Sequence, residues 1–135
     1  MKVSFEGIGQ WCATFEGGVT EGHVVKVDSG GGAAECEAGD AFCGAAAYVR
    51  GDTCTVQLGG FVTVPYSGSA PALGYTALTA DGKGGVQAAA SGGQAAVQAA
   101  AEADGGQESP AVSQDAVRRW VVDRDEDAQT VTILL

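Results

Sequence analysis

Residues 39–68, GDAFCGAAAYVRGDTCTVQLGGFVTVPYSG, leave the backbone few choices. Apolar and polar residues alternate, and glycine pairs interrupt the alternation. In TCTVQL (residues 53–58), Cys54, Val56 and Leu58 fall on one side and Thr53, Thr55 and Gln57 on the other. Successive side chains of an extended backbone point in opposite directions, so period two marks a half-buried strand. Gly51-Asp52 stands where a two-residue hairpin needs positive φ, and Gly59-Gly60 offers a second turn or a bulge.

The same reading extends along the chain. Residues 2–5 and 11–15 form two short strands around Glu6-Gly7-Ile8-Gly9. Residues 23–28 alternate, with Val25 and Val27 on one face, and Ser29-Gly30-Gly31-Gly32 turns the chain into 33–37. Residues 45–50 pair most simply with 53–58. Residues 61–66 place Val62, Val64 and Tyr66 together, and Pro65, which lacks an amide donor, favours an edge or a strand end. Strands at 75–80, 120–123 and 130–134 complete the set. Many short strands separated by glycine turns predict an all-β fold, a small antiparallel β-sandwich or barrel. The 135 residues make one domain, 1–135.

Residues 87–115 break the pattern. They are Ala, Gly, Gln and Ser with a few acids, and VQAAA occurs at 86–90 and again at 97–101. Residues 95–103 have helix propensity but are short for an isolated helix. Ser109-Pro110 resembles a helix start. The segment reads as a low-complexity loop or short-helix insertion between two strands.

Charge narrows the partners. Seventeen acids against seven bases give a net charge of −10, with no basic stripe for nucleic acid. Met1-Lys2 leads into VSFEGIG without the apolar run of a signal peptide, and no stretch approaches a membrane span. The expectation is a chain made and used in a cytoplasm. Cys12, Cys36, Cys43 and Cys54 are then reduced, and buried thiols are favoured over a disulfide pair.

Each reactive-looking motif has a plainer reading. His23 is the only histidine and begins a strand, which favours a packed or solvent-facing side chain over a triad member. Cys36 and Cys43 are too far apart for a zinc knuckle pair. Asp123, Asp125 and Asp127 match the first positions of a calcium loop. Ala128 and Leu134 then stand where glycine and glutamate are needed, so the run reads as an acidic hairpin turn. Arg50-Gly51-Asp52 spells an integrin motif, which the hairpin explains without a receptor. Asp81-Gly82-Lys83-Gly84-Gly85 lacks phosphate-loop order and reads as a turn. No catalytic, cofactor-binding or metal-binding set emerges, and no enzyme is expected. Phe5, Ile8 and Trp11 form an apolar cluster beside Gly7 and Gly9, either core or an N-terminal arm that docks on a partner.

GDAFCG, AAAYVRGDTCTVQLGGFVTVPYSG, ALGYTALTADGKGGV and WVVDRDEDAQTVTILL, in that order, resemble the DUF2190 group of phage and prophage proteins. The likeness covers roughly residues 1–86 and 119–135; the 87–115 insertion departs from it. It implies a structural capsid decoration (cement) protein on the outer surface of the assembled head, made in the bacterial host cytoplasm. The implied partner is a phage major capsid protein, and the implied assembly is a homo-oligomer, with a trimer favoured. On this reading Phe5, Ile8 and Trp11 are the candidate capsid contacts. The alternative is a small β-barrel module that binds carbohydrate or peptide.

Overall fold

The computed structural model describes residues 9–89 and 116–135. The strands in chain order are β1 (Trp11–Glu16), β2 (Val24–Val27), β3 (Ala33–Glu35), β4 (Gly44–Arg50), β5 (Thr53–Gly59), β6 (Phe61–Pro65), β7 (Gly74–Ala80), β8 (Val86–Ala88), β9 (Val117–Asp125) and β10 (Thr130–Leu134). They form two five-stranded antiparallel sheets. The protein is all-β, as alternation and glycine punctuation required. Strand β8 was not foreseen; it takes Gln87 and Ala88 from the segment read as an insertion. Residues 90–115 and the strand expected at 2–5 lie outside the described residues.

The first sheet, ordered β1-β5-β4-β2-β3, uses the chain up to Gly59. The second, β6-β10-β9-β7-β8, uses the chain from Phe61. The two orders are the same arrangement displaced by five strands. Only Gly60, at φ 85°, separates the two sheets along the chain.

The likeness reaches individual residues. In the β4–β5 hairpin, Arg50, Val49 and Tyr48 face Thr53, Cys54 and Thr55; one residue is then skipped, and Ala46 and Ala45 face Val56 and Gln57. In the β9–β10 hairpin, Asp125, Arg124 and Asp123 face Thr130, Val131 and Thr132; one residue is skipped, and Val121 and Trp120 face Ile133 and Leu134. The bulge therefore falls at the same place in both. Gly17 donates its amide to Asp52 O, and Tyr66 donates to Gln129 O in the corresponding position.

The β2–β3 and β7–β8 turns are equally matched. Asp28 Oδ1 accepts the amides of Gly30 (2.8 Å) and Gly32 (3.0 Å). Asp81 Oδ1 accepts those of Lys83 (2.7 Å) and Gly85 (2.9 Å). A short carboxylate that bonds amides two and four residues ahead folds the backbone over itself without help from the core. Gly31 and Gly84 supply the positive φ that each turn needs.

These turns also bring the outer strands of each sheet together. A Cβ on Gly32 would sit 2.8 Å from Glu16 O, and one on Gly85 would sit 2.4 Å from Pro65 O. Tyr66 forms an isolated parallel bridge to Val86, so the β6 side of the second sheet meets its β8 side. In the first sheet a Cβ on Gly17 would come within 2.0 Å of Ala33 O.

Each sheet has its own apolar interior. Phe15, Val25, Ala33, Ala46, Cys54 and Val56 cluster in the first. Their counterparts Val64, Leu78, Val86, Val121, Val131 and Ile133 cluster in the second. Fully burying one such Val, Leu or Ile contributes about 1.5–3 kcal/mol. The second cluster also takes in Val24, Cys36, Phe42 and Ala45, which belong to the first half of the chain. That shared apolar contact joins the halves. Backbone bonds support it: Val24 N to Gly84 O (2.9 Å), Gly39 N to Ala80 O (2.9 Å) and Ala80 N to Asp40 O (2.9 Å).

The sequence placed Gln57 on a polar face; the structure buries it to 8 % exposure. Its Nε2 donates to Gly59 O (3.0 Å) and Phe61 O (2.7 Å), which fixes the chain where it passes between sheets.

Gly85→Ala should lower the unfolding free energy by about 1–3 kcal/mol, because the new methyl meets backbone rather than a side chain that can rotate. Gly32→Ala should do the same. Gly18→Ala, where a Cβ meets nothing within 4 Å, is the control. Urea denaturation of the three variants checks this; equal midpoints for all three would contradict it.

Candidate interaction surface

Trp11 opens β1, where it faces Gly59 of β5 across a register shift. The indole lies over that glycine, since a Cβ there would come within 1.9 Å of Trp11 Nε1. An aromatic over a cross-strand glycine is held in place while its outer face stays wet. Trp11 is 59 % exposed, so it is no core residue. Phe5 and Ile8, named with it from sequence, lie outside the described residues.

A second aromatic feature lies on the outer face of the second sheet, and the sequence reading did not single it out. Tyr75 of β7 and Trp120 of β9 are cross-strand partners with ring centroids 5.2 Å apart and planes tilted by 42°. The Arg118 guanidinium lies 5.8 Å from the Tyr75 ring centroid, a cation–π arrangement. Both rings are more than half exposed, as is Leu73. The row continues across the sheet, because Leu134 faces Trp120 and Phe61 faces Leu134. Alternation left the face open, because Val121 and Val122 are both apolar; the structure buries Val121 and turns Trp120 outward.

His23 is not a free strand-end side chain. Its Nδ1 donates to Glu35 Oε2 at 2.9 Å, and Glu35 Oε1 accepts the Thr20 amide at 2.6 Å. The His23 ring also covers Gly84, at the junction of the halves. Burial works against the Glu35 charge, but the bonds from His23 and Thr20 outweigh it and hold the carboxyl below its ordinary value. Lys26 pairs with Asp40, and this hydrogen bond lowers the Asp40 pKa.

The remaining candidates are local structure. Asp125 closes β9, and its Oδ1 accepts the Ala128 amide at 3.0 Å, while Gln129 takes φ 54° to re-enter β10. Arg124 pairs with Glu126 at 3.2 Å. Among the described residues no group of three or more His, Cys, Asp or Glu converges as metal ligands would. Gly51 takes φ 60°, as the first position of a type II′ turn requires, and Arg50 turns back over the Tyr48 ring at 5.8 Å.

The four cysteines are free thiols. Cys36 and Cys54 are buried and Cys43 is half-buried, but Cys12 is exposed, against the expectation of uniform burial. Burial, with the Asp40 charge adding to it, pushes the Cys36 thiol up to about 11. Burial also raises Cys43 and Cys54. Iodoacetamide on the native protein should therefore label Cys12 first, with Cys36 and Cys54 reacting only in denaturant, where intact mass shows four additions. Early labelling of Cys54 would contradict the buried placement.

A carboxyl whose pKa is lowered by folding stabilises the fold above its unfolded value and loses that contribution as pH falls through its folded value. For Glu35 the loss comes below the ordinary carboxylate range. The pair is partly exposed, so its contribution is at most about 1 kcal/mol. Glu35→Gln should lower the urea midpoint at pH 7 and leave it closer to wild type at pH 3. A deficit that does not shrink with acid would contradict the hydrogen-bonded carboxylate.

No protein-family model matches the chain, and neither a curated protein nor a solved structure matches it.

Proposed function

We propose that the chain is a structural protein of a phage head, a decoration or cement protein that binds the outer surface of the assembled shell and stabilises it. The order of its strand and turn motifs supports this reading. The observation that carries it is Trp11, an aromatic held open to water on an outer strand and 59 % exposed. Aromatics of this kind anchor interfaces, because a large apolar face is buried at little cost in conformational entropy. Residues 1–8 lead directly into it, so Phe5, Ile8 and Trp11 are the proposed capsid contacts. The charge of −10 keeps the protein from sticking to packaged DNA.

On this reading the action is mechanical and no reaction is catalysed. The partner is a phage major capsid protein, and the working form is a homo-oligomer, a trimer by resemblance. Many modest contacts shared between neighbouring capsid subunits act together, and multivalency makes the shell durable. The architecture that suits this role is a pair of small barrels, each a five-stranded sheet curled until its outer strands touch. The Tyr66–Val86 bridge and the matched glycine approaches support the barrel form over an open sandwich. The protein would be made in the host cytoplasm and end on the virion exterior.

The Tyr75–Trp120 pair favours a second reading, a β-barrel module that binds carbohydrate or peptide. Exposed aromatics on a rigid sheet can stack against a sugar ring. Thermal shifts with a panel of oligosaccharides test it, and a saturable rise abolished by Trp120→Ala would favour it.

For the decoration reading, purified protein is added to undecorated heads of the cognate phage and sedimented. It should co-sediment to a stoichiometry set by shell symmetry and raise the shell's melting temperature, since a ligand of the native state stabilises it. It should not bind unassembled capsid subunits. Failure to co-sediment, or equal binding to free subunits, would overturn the shared-site mechanism; full binding by Trp11→Ala would overturn only the contact assignment.

A further inference from the structure

The two halves of the chain repeat one fold, and they meet asymmetrically. The first half contributes the outward face of its sheet, with Val24 and Ala45 buried to 1 % and 4 % exposure in the shared core. The second contributes the β7–β8 turn. Ala80 bonds Gly39 and Asp40, and Gly84 accepts the Val24 amide beneath the His23 ring. The contact is head to tail: the outward face of one repeat meets the turn of the next.

Each partner in this contact has a counterpart that the other described residues leave exposed. Trp120 stands at the position of Ala45 relative to the bulge, and Tyr75 lies opposite it on the same outward face; the counterpart of Val24, Ala77, follows two residues along β7. Val24 and Ala45 are buried, whereas Tyr75 and Trp120 are 56 % and 53 % exposed. At the other end, Val27 corresponds to Ala80, each immediately preceding the aspartate of its turn. Ala80 is fully buried, and Val27 is 48 % exposed. A Cβ on Gly84 would strike His23 at 2.4 Å, while one on the matching Gly31 meets nothing within 4 Å. The free outward face is apolar with Arg118 at its edge, and the free turn is apolar at Val27 and acidic at Asp28.

We propose that the Tyr75–Trp120 face of one molecule docks on the Val27–Asp28 turn of a second copy of this chain, continuing between molecules the contact that joins the repeats within one. Such an interface is heterologous: two different patches meet, and each molecule keeps one of each free for the next. Whether the series closes into a ring follows from the rotation between repeats. Trp120 is bulkier than Ala45 and has Tyr75 beside it, so this face can fill the junction without the covalent link that holds the repeats of one chain together. The proposal concerns the protein alone and does not rest on the decoration reading.

Sedimentation velocity over a range of concentrations tests it with three full-length proteins: wild type, Trp120→Asp and Val27→Asp. Wild type should assemble, and each variant should sediment as a monomer. An equimolar mixture of the two variants should form a dimer and stop, because it contains one intact junction: the Val27 turn of the Trp120→Asp protein against the Trp120 face of the Val27→Asp protein. Cooperative melting of each variant establishes that it is folded; Tyr75→Lys and Val27→Lys replace any variant that fails this check. Three outcomes would overturn the proposal. They are a wild type that stays monomeric at every concentration, a Val27 variant that assembles as wild type does, and folded variants whose mixture remains monomeric.

Discussion

The fold depends on how closely two backbone segments can approach at one point in each half. Gly32 passes the carbonyl of Glu16, and Gly85 passes that of Pro65, at separations that leave no room for a Cβ. Without this approach the outer strands of each sheet could not meet, and the six interior residues of each half would lose one wall. Asp28 and Asp81 hold the approaching turns by the same pair of amide bonds. Gly17, Gly32 and Gly85 serve this close backbone geometry, and the apolar interior is made largely of small residues such as Val, Ala and Cys.

Repetition of one unit explains features that look unrelated along the chain. The bulge on β4 and the bulge on β9 are one feature met twice, as are the two aspartate turns. The halves differ where they meet. Ala80 is small because a loop of the first half bonds its backbone; Val27 has no such neighbour and is larger and exposed. The single histidine belongs to this junction, where its ring covers Gly84 and its Nδ1 meets Glu35. The connection between β3 and β4, residues 36–43, supplies Cys36 and Phe42 to the shared core. Its counterpart between β8 and β9 is where the low-complexity segment enters the chain.

Besides Tyr48 on the β4–β5 hairpin, the exposed aromatic residues stand in two places. Trp11 stands at the start of the first unit over a glycine, and Tyr75 and Trp120 stand on the outward face of the second. In the two proposed roles, their separation would let one molecule meet a shell through the first and a copy of itself through the second. An antiparallel framework suits that task, because ladder hydrogen bonds hold exposed rings at fixed spacing.

Local residue order determined most of the strands. Alternation in TCTVQL, the Gly51-Asp52 turn and Pro65 at the end of an outer strand each followed from short-range geometry, and the structure places them so. The outward direction of Trp120 was not legible, because Trp120, Val121 and Val122 are all apolar and alternation leaves the face open. The repeat was present only faintly, as TCTVQL against TVTILL and VDSGGGA against ADGKGGV, because spacing and turn chemistry persist where side chains have diverged. Short strand β8 was hidden by the Ala-rich composition that follows it. Tertiary structure alone decided that Gln57 is buried, that Cys12 is exposed and that His23 sits at a junction. Each of these depends on which segment lies across the gap, and period-two alternation gives a residue's face but never what stands opposite it.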